Sequence, residues 1–548
     1  MIQLARIFSN GLILQRGTSV PIWGVSDREQ TVTVTLNGKP ILTAKVPEGE
    51  FSLTLPAQPA MEDAVLTIGD AHLEHVDFGE VWVAGGQSNM EFLLRYTEGG
   101  EEEIRAADDA HLRMYTVGQY SYAGERERGY KAWNPWDRWL SYFPENAGDF
   151  SAVAVYFAKE LRKHLGVPVG ILSCNWGGTS ASAWIKRSCL LDDDRVRDYV
   201  DDFDALVARL DLDRYWTIKN LVLPSVSSPQ TKQIMAVTMK NTFRPSEWAQ
   251  MLAAQTANAG DASENPLAGI SMEELMAVGP GDANEPGALY ENMLTEIMGY
   301  AASGVIWYQG ESDDKKADRY SALFTDMIAC WRNSWQTRNP DQKKLPFLFV
   351  QLAPFGLWAA ESGAKYPILR REQEQVSKTV PDAWMTSSAD VGNIYDIHPK
   401  QKAPVGQRLS LLARKYVYGE GSLLADAPEA LDAEWRGDTV CVRFAHAEGL
   451  AVKEHDFGSY NGFDCEELPQ ELLPPVLCGV NGLRVLLDGD AMEEAQITVR
   501  SGELTICGDS LRDALELQIE FAQTGFYQVN LYNEAGIPAK PFLLKLHR

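Results

Sequence analysis

The sequence predicts an α/β protein: strand–helix–strand units around a parallel sheet, with a β-rich region at each end of the chain. Three observations carry that prediction. Thr31–Leu36 alternates apolar and polar residues, reaches Asn37-Gly38 and returns through Ile41–Val46, the pattern of a hairpin. Ser151–His164 sets Val153, Val155, Phe157 and Leu161 along a helix and leads into the apolar run Val167–Ser173, which reads as a buried parallel strand. From about residue 421 short strands resume, at Thr439–Phe444, Leu483–Leu487, Leu504–Cys507 and Ala514–Phe521.

At 548 residues the chain exceeds what one hydrophobic core supports, and its length suggests roughly three or four domains. Against 50 Lys and Arg stand 76 Asp and Glu, a net charge of −26. That balance argues against nucleic acid and against anionic membrane surfaces as partners. No apolar run reaches transmembrane length, and Met1–Ser9 lacks a basic start with a long apolar core, so no signal peptide is read. The seven cysteines form no Cys-x-x-Cys pair and no Cys/His cluster. An odd, scattered set reads as free thiols of a reducing compartment, so a cytoplasmic protein is expected, although a trimmed leader would leave the same sequence. No metal or organic cofactor is signalled.

In chain order, Phe51–Leu55 and Ala64–Ile68 add strands to the first hairpin and make a small sandwich of residues 1–75. Val81–Ala84 is a short buried strand bounded by Gly85-Gly86, and the apolar residues of Asn89–Arg95 suit one face of a helix. Ser88 stands between them. A serine at the carboxyl end of a buried strand is where an α/β fold presents a nucleophile; the alternative is a helix N-cap. Gln87 and Asn89 flank it, so this is not the Gly-x-Ser-x-Gly elbow. The loop-rich stretch 97–150 holds Trp133, Trp136 and Trp139, read as anchors pinning the loop, with a sugar-stacking wall as the functional alternative.

Residues 186–285 mix acidic clusters such as Asp192–Asp194 with helical stretches, and read as a mostly helical insertion. The clusters lack the Asp-x-Asp-x-Asp-Gly spacing of a calcium loop. Gly304–Tyr308 is a further buried strand running into the polar turn Gln309–Asp313. A helix over Tyr320–Arg332, a strand over Leu345–Leu352 and a helix over Leu409–Tyr416 follow, with Asp396-Ile397-His398-Pro399 before the last helix.

Three of these stretches are long and specific: Gly86-Gln87-Ser88-Asn89-Met90-Glu91, Trp307-Tyr308-Gln309-Gly310-Glu311-Ser312 and Asp396-Ile397-His398-Pro399. With them the sequence resembles the sialate O-acetylesterase-like family of the SGNH hydrolase superfamily. Leu12–Arg16 with Val20–Gly24, Asn175–Thr179, Gly287–Tyr290 and Leu531–Pro538 extend the resemblance over nearly the whole chain. It implies a flavodoxin-like three-layer core with a parallel sheet, formed by 76–185 and 286–420. Around that core the residue pattern places an N-terminal β-sandwich over 1–75, the mostly helical insertion 186–285 and a C-terminal β-sandwich over 421–548. Gln15 and Arg16 resemble residues at the interface between the first sandwich and the core.

The implied activity is removal of O-acetyl groups from sugars through an acetyl-enzyme. Such chemistry needs a nucleophile, a base and donors for the tetrahedral oxyanion. The resemblance assigns Ser88 as nucleophile and His398 as base, and the other seven histidines lie outside every motif. For the acid that orients His398, Asp396 is preferred and Asp390 competes. The superfamily's Asp-x-x-His is one residue longer than the spacing here, and an extended segment would bring Asp396 and His398 to the same side. The oxyanion donors implied are the Ser88 N–H, the Gly178 N–H with Gly177 as its rival, and the Gln309 amide, where much of the superfamily has asparagine. Gln87, Asn89 and Glu311 are implied to support the Ser88 loop.

Two substrate classes divide the family. The cytoplasmic, acidic character favours plant-type acetylated oligosaccharides such as xylo-oligosaccharides; a sialate would ask for an arginine, with Arg95 and Arg408 as candidates. A reading of another class is a glycan-binding protein with an inert centre. The expected partner is an acetylated carbohydrate, and the sequence is compatible with a homo-oligomer.

Overall fold

The computed structural model describes residues 1–127, 137–226, 229–244, 246–247, 250, 269–275, 277–358, 361–453 and 476–548. Trp133 and Trp136 lie outside them. Contacts divide the chain into two compact units. One comprises 1–241, 254–312 and 321–347; the other comprises 242–253, 313–320 and 348–548.

The first unit opens with strands β1 (Ile2–Leu4), β2 (Ile13–Gln15), β3 (Val20–Ser26), β4 (Gln30–Leu36), β5 (Lys39–Val46), β6 (Gly49–Leu55) and β7 (Met61–Ile68). Alternation does what it predicts: Val32, Val34 and Leu36 of β4 and Phe51, Leu53 and Leu55 of β6 are buried, with exposed residues among those between them. β4 and β5 form the expected hairpin, and Asn37 (φ 49°) and Gly38 (φ 75°) both take the left-handed backbone that a tight two-residue turn requires.

β8 then runs from Ala71 to Gly86 without a break. Its first half pairs antiparallel with β7 and parallel with β2, while its second half is the strand that ends at the serine. The expected border at residues 75/76 falls inside this strand. The strands that follow are β9 (Asp109–Thr116), β10 (Trp139–Tyr142), β11 (Val169–Asn175) and β12 (Gly304–Tyr308), in the spatial order β10-β9-β11-β8-β12. β9, β11, β8 and β12 are mutually parallel, and β10 joins the edge antiparallel, so the sheet is mixed.

Every residue of β11 and β12 is buried, as a parallel strand covered on both faces should be. The helix Ala152–Leu165 leads into β11, capped by the Ser151 side chain accepting from the Ala154 N–H at 3.3 Å. Trp139 is an anchor: it is buried and its indole N–H donates to the Ile7 carbonyl at 2.9 Å. Gln15 accepts from the Val81 N–H at 2.8 Å and donates to Glu80, which Arg16 also holds. Within 186–285 the described elements are helices: Arg187–Asp192, Asp198–Val207, Leu212–Val226, Pro229–Lys240 and Met272–Leu275.

The second unit contains all but the first residue of β13 (Phe347–Val350), its neighbour β16 (Ala383–Thr386), the small hairpin β14 (Leu357–Trp358) and β15 (Glu361–Ser362), and the helices Tyr366–Thr379 and Ala403–Leu412. Beyond residue 428 come two four-stranded antiparallel sheets. One is built on Thr439–Ala445 and Glu503–Cys507, the other on Leu483–Leu487 and Glu516–Phe521. Val440, Val442, Leu504 and Ile506 from the first share one buried cluster with Leu483, Val485, Ile519 and Phe521 from the second, a sandwich core. Among the described residues no helix is long and apolar enough to cross a membrane.

Candidate active site

Ser88 is the first residue of a helix of four, Ser88–Glu91. The N-cap is Gln87, with extended backbone, so the N-cap reading of Ser88 gives way. The helix also stops short of the expected Arg95. Phe92 leaves helical geometry at ψ 116°, because its carbonyl accepts from the Ala152 N–H and the Leu94 N–H donates to the Phe150 carbonyl. Those bonds pull the chain away before a second turn can form. Ser88 itself remains partly exposed while Gln87, Asn89 and Met90 are buried.

The glycine before it has a physical reason. Gly86 holds φ +138°, and a Cβ there would lie 2.2 Å from the Tyr308 carbonyl oxygen on β12. The Gln87 N–H donates to that carbonyl at 3.1 Å, and the Trp176 N–H to the Gly86 carbonyl at 3.1 Å, so strand ends from β8, β11 and β12 converge at the serine turn. Asn89 Nδ2 donates to Glu311 Oε1 at 2.5 Å, and Gln87 Oε1 accepts from the Ser312 N–H at 3.2 Å. The three supporting residues therefore tie the serine turn to the turn after β12.

Gly177 lies against Ser88: a Cβ on it would come within 3.1 Å of the Ser88 Cβ. Its N–H is committed to Glu91 Oε2 at 2.6 Å. The Gly178 residue is exposed, holds φ +73°, and has open space where a Cβ would stand. Gln309 is fully buried and spends one amide hydrogen on the Thr179 carbonyl at 3.1 Å, so the two donor-bearing loops are bonded to each other. Asn284 fixes the same loop from outside, donating to the Gly178 carbonyl at 3.1 Å and accepting from the Ser180 N–H at 2.9 Å.

In the second unit, His398 and Asp396 are both buried. They meet through a tight turn, not through the extended segment expected: the His398 N–H donates to Asp396 Oδ1 at 2.8 Å, and His398 Nδ1 lies 3.4 Å from the same oxygen. Asp396 Oδ2 takes the Lys400 ammonium at 2.7 Å and the Thr242 hydroxyl at 3.2 Å. Burial pushes the Asp396 carboxyl up, but the His398 bond and the Lys400 charge outweigh it and hold it below the usual carboxylate range. Burial dominates at His398 and holds the imidazole below its ordinary 6.5, against the pull of Asp396 and with Lys400 and Lys402 adding repulsion. The Trp358 ring stands edge-on to the imidazole at 5.3 Å and 87°.

Asp390, the competing orienter, is held elsewhere. Arg408 grips it with two bonds of 2.7 Å, which also engages the arginine offered for a sialate carboxylate. Arg95 is paired with Asp149 at 2.5 Å. Residues that carry the site but drew no role from sequence are Glu91, Gln119, Thr242, Trp358 and Lys400. Glu91 and Lys400 stand in or directly after the motifs; Thr242 and Trp358 carry no sequence signal. Among the described residues no group of His, Cys, Asp or Glu is arranged to hold a metal ion.

Residues 265–415 match the family model described as carbohydrate esterase, sialic acid-specific acetylesterase. A sialate O-acetylesterase of Mus musculus is 24% identical over 583 residues, covering 100% of this chain and 95% of its own. That of Homo sapiens is 22% identical over 579 residues, covering 99% and 92%. Among solved structures, a novel carbohydrate acetylesterase from Xanthomonas citri matches with a TM-score of 0.67 at 26% identity, over 99% of each chain.

Proposed function

We propose that the chain, similar along its length to sialate O-acetylesterases and to a carbohydrate acetylesterase, is a serine O-acetylesterase of that family acting on O-acetylated sialic acid. The observation that carries the reading is the Ser88 turn: a partly exposed hydroxyl at the end of a buried parallel strand, with the Gly177-Gly178 loop and Gln309 bound around it.

Ser88 Oγ attacks the acetyl carbonyl as His398 accepts its proton. The oxyanion is met by the N–H groups of Ser88 and Gly178 and by the side-chain amide of Gln309. Gly177 leaves this set because its N–H is taken by Glu91. Collapse expels the sugar oxygen with the proton from His398, and water then attacks the acetyl-serine by the same route to release acetate. Asp396 orients the imidazole and stabilises its cation.

Relatives named sialate O-acetylesterase that match along the full chain move the substrate away from the plant-type oligosaccharides expected above. One observation favours neutral sugars: Arg95 and Arg408, the cations weighed for a sialate carboxylate, already have carboxylate partners. The deciding experiment measures acetate release from O-acetylated sialic acids and from acetylated xylo- and manno-oligosaccharides, with Ser88→Ala alongside. Turnover of sialates alone, lost in the variant, supports the reading; turnover of xylo-oligosaccharides alone reverses the substrate. Equal inertness of both proteins on every ester leaves a glycan-binding protein.

A further inference from the structure

We propose that Glu91 is a positioning residue of the oxyanion site: its carboxylate clamps the Gly177 N–H so that the next amide, that of Gly178, is the one presented to the reacting carbonyl. The inference rests on the esterase reading above. Glu91 sits at the end of the short helix that begins with Ser88, so one rigid turn carries both the nucleophile and the clamp.

Both carboxylate oxygens are used. Oε2 accepts the Gly177 N–H at 2.6 Å, and Oε1 accepts from Gln119 Nε2 at 2.9 Å. Gln119 in turn donates to the Asn175 carbonyl at 3.1 Å, the residue that ends β11 and begins the donor loop. The loop is thus held at Asn175 and Gly177, and Asn284 holds the Gly178 carbonyl. A Cβ at Gly177 would come within 3.1 Å of both Glu91 Oε2 and the Ser88 Cβ, so a side chain there would have to push the clamp or the nucleophile aside by a few tenths of an ångström. The consequence is a division of labour between adjacent amides: one is spent inward on Glu91, and the following one is left for chemistry. Burial pushes the Glu91 carboxyl up, and the Gln119 and Gly177 bonds work against that push. Protonation makes the carboxyl a weaker acceptor and loosens the clamp.

The test is Glu91→Gln. An amide cannot accept from both donors, because its NH₂ must face one of them. The variant should keep its melting behaviour and its KM to within about threefold, and lose about 10- to 100-fold in kcat, less than removal of a whole oxyanion donor. Amide hydrogen exchange across residues 175–179 should speed up, and the acidic limb of the kcat profile should lose the part that Glu91 contributes. Gly177→Ala is the second variant, expected to lower kcat by crowding Ser88 even if Glu91→Gln does not fold. Unchanged kcat in either folded variant of an active enzyme overturns the positioning role while leaving the esterase reading intact. A wild-type protein inert on every acetyl ester overturns both.

Discussion

Arg408 and Asp390 form a two-pronged pair in which Nη1 meets Oδ1 and Nη2 meets Oδ2, both at 2.7 Å. The geometry matches a planar guanidinium to a carboxylate and ties the helix Ala403–Leu412 to the stretch after β16; Arg408 also reaches the Ser387 and Gly536 carbonyls at 3.1 Å. Two side chains that sequence offered for chemistry are structural to each other.

Removing one member of so buried a pair leaves the other uncompensated. Arg408→Met is expected to destabilise the protein by about 3–5 kcal/mol in chemical denaturation. Asp390→Asn should leave kcat within a few-fold, whereas Asp396→Asn lowers it by orders of magnitude with modest effect on stability. Equal kcat losses in the two aspartate variants would return Asp390 to the mechanism.

The base must be neutral to act, and burial holds His398 below 6.5. The acidic limb of kcat/KM is therefore expected to fall below pH 6.5. Because the folded value is depressed, the unfolded chain binds the proton more readily. The same holds for Asp396. Their contribution to stability is full above the ordinary histidine value and is lost as pH falls through the folded values. Denaturation curves at pH 7 and 5 check the sign.

Lys400 shares Asp396 with His398, so its charge weakens the hold of the carboxylate on the imidazolium. Lys400→Met should raise the His398 value and move the acidic limb of kcat/KM to higher pH. A limb that stays in place would show that the ammonium is screened from the imidazole.

Gln309→Ala removes a donor from the oxyanion and also its bond to the Thr179 carbonyl. The expected loss is about 10²–10³ in kcat with KM little changed, read from steady-state kinetics on an acetyl ester.

The strands and the serine turn were legible because burial alternates or runs unbroken along a strand, and because glycines mark where the backbone bends or approaches another strand. The Asp396–His398 contact was legible in spacing but not in cause, since the turn that joins them depends on one side-chain bond to the His398 N–H. Thr242 could not be found: it reaches Asp396 from 154 residues away, and nothing in its neighbourhood marks it. The short helix after Ser88 was overestimated for a similar reason. Its apolar residues suit a helix, and only the competing bonds from 148–152 end it. Local pattern reports what a segment can do, while distant partners decide where it stops.

The sixteen-residue strand β8 makes the N-terminal region inseparable from the nucleophile. Its pairing with β7, which carries two register shifts, and with β2 at one end is joined along one continuous strand to the register with β11 and β12 at the other. A single residue inserted near Val76 would turn every later side chain of the strand to the opposite face, and a chain begun at residue 76 would bare an unprotected sheet edge. The β-rich region at the N-terminus is thus no detachable accessory: it serves as the alignment rail for the serine, and the two should melt as one.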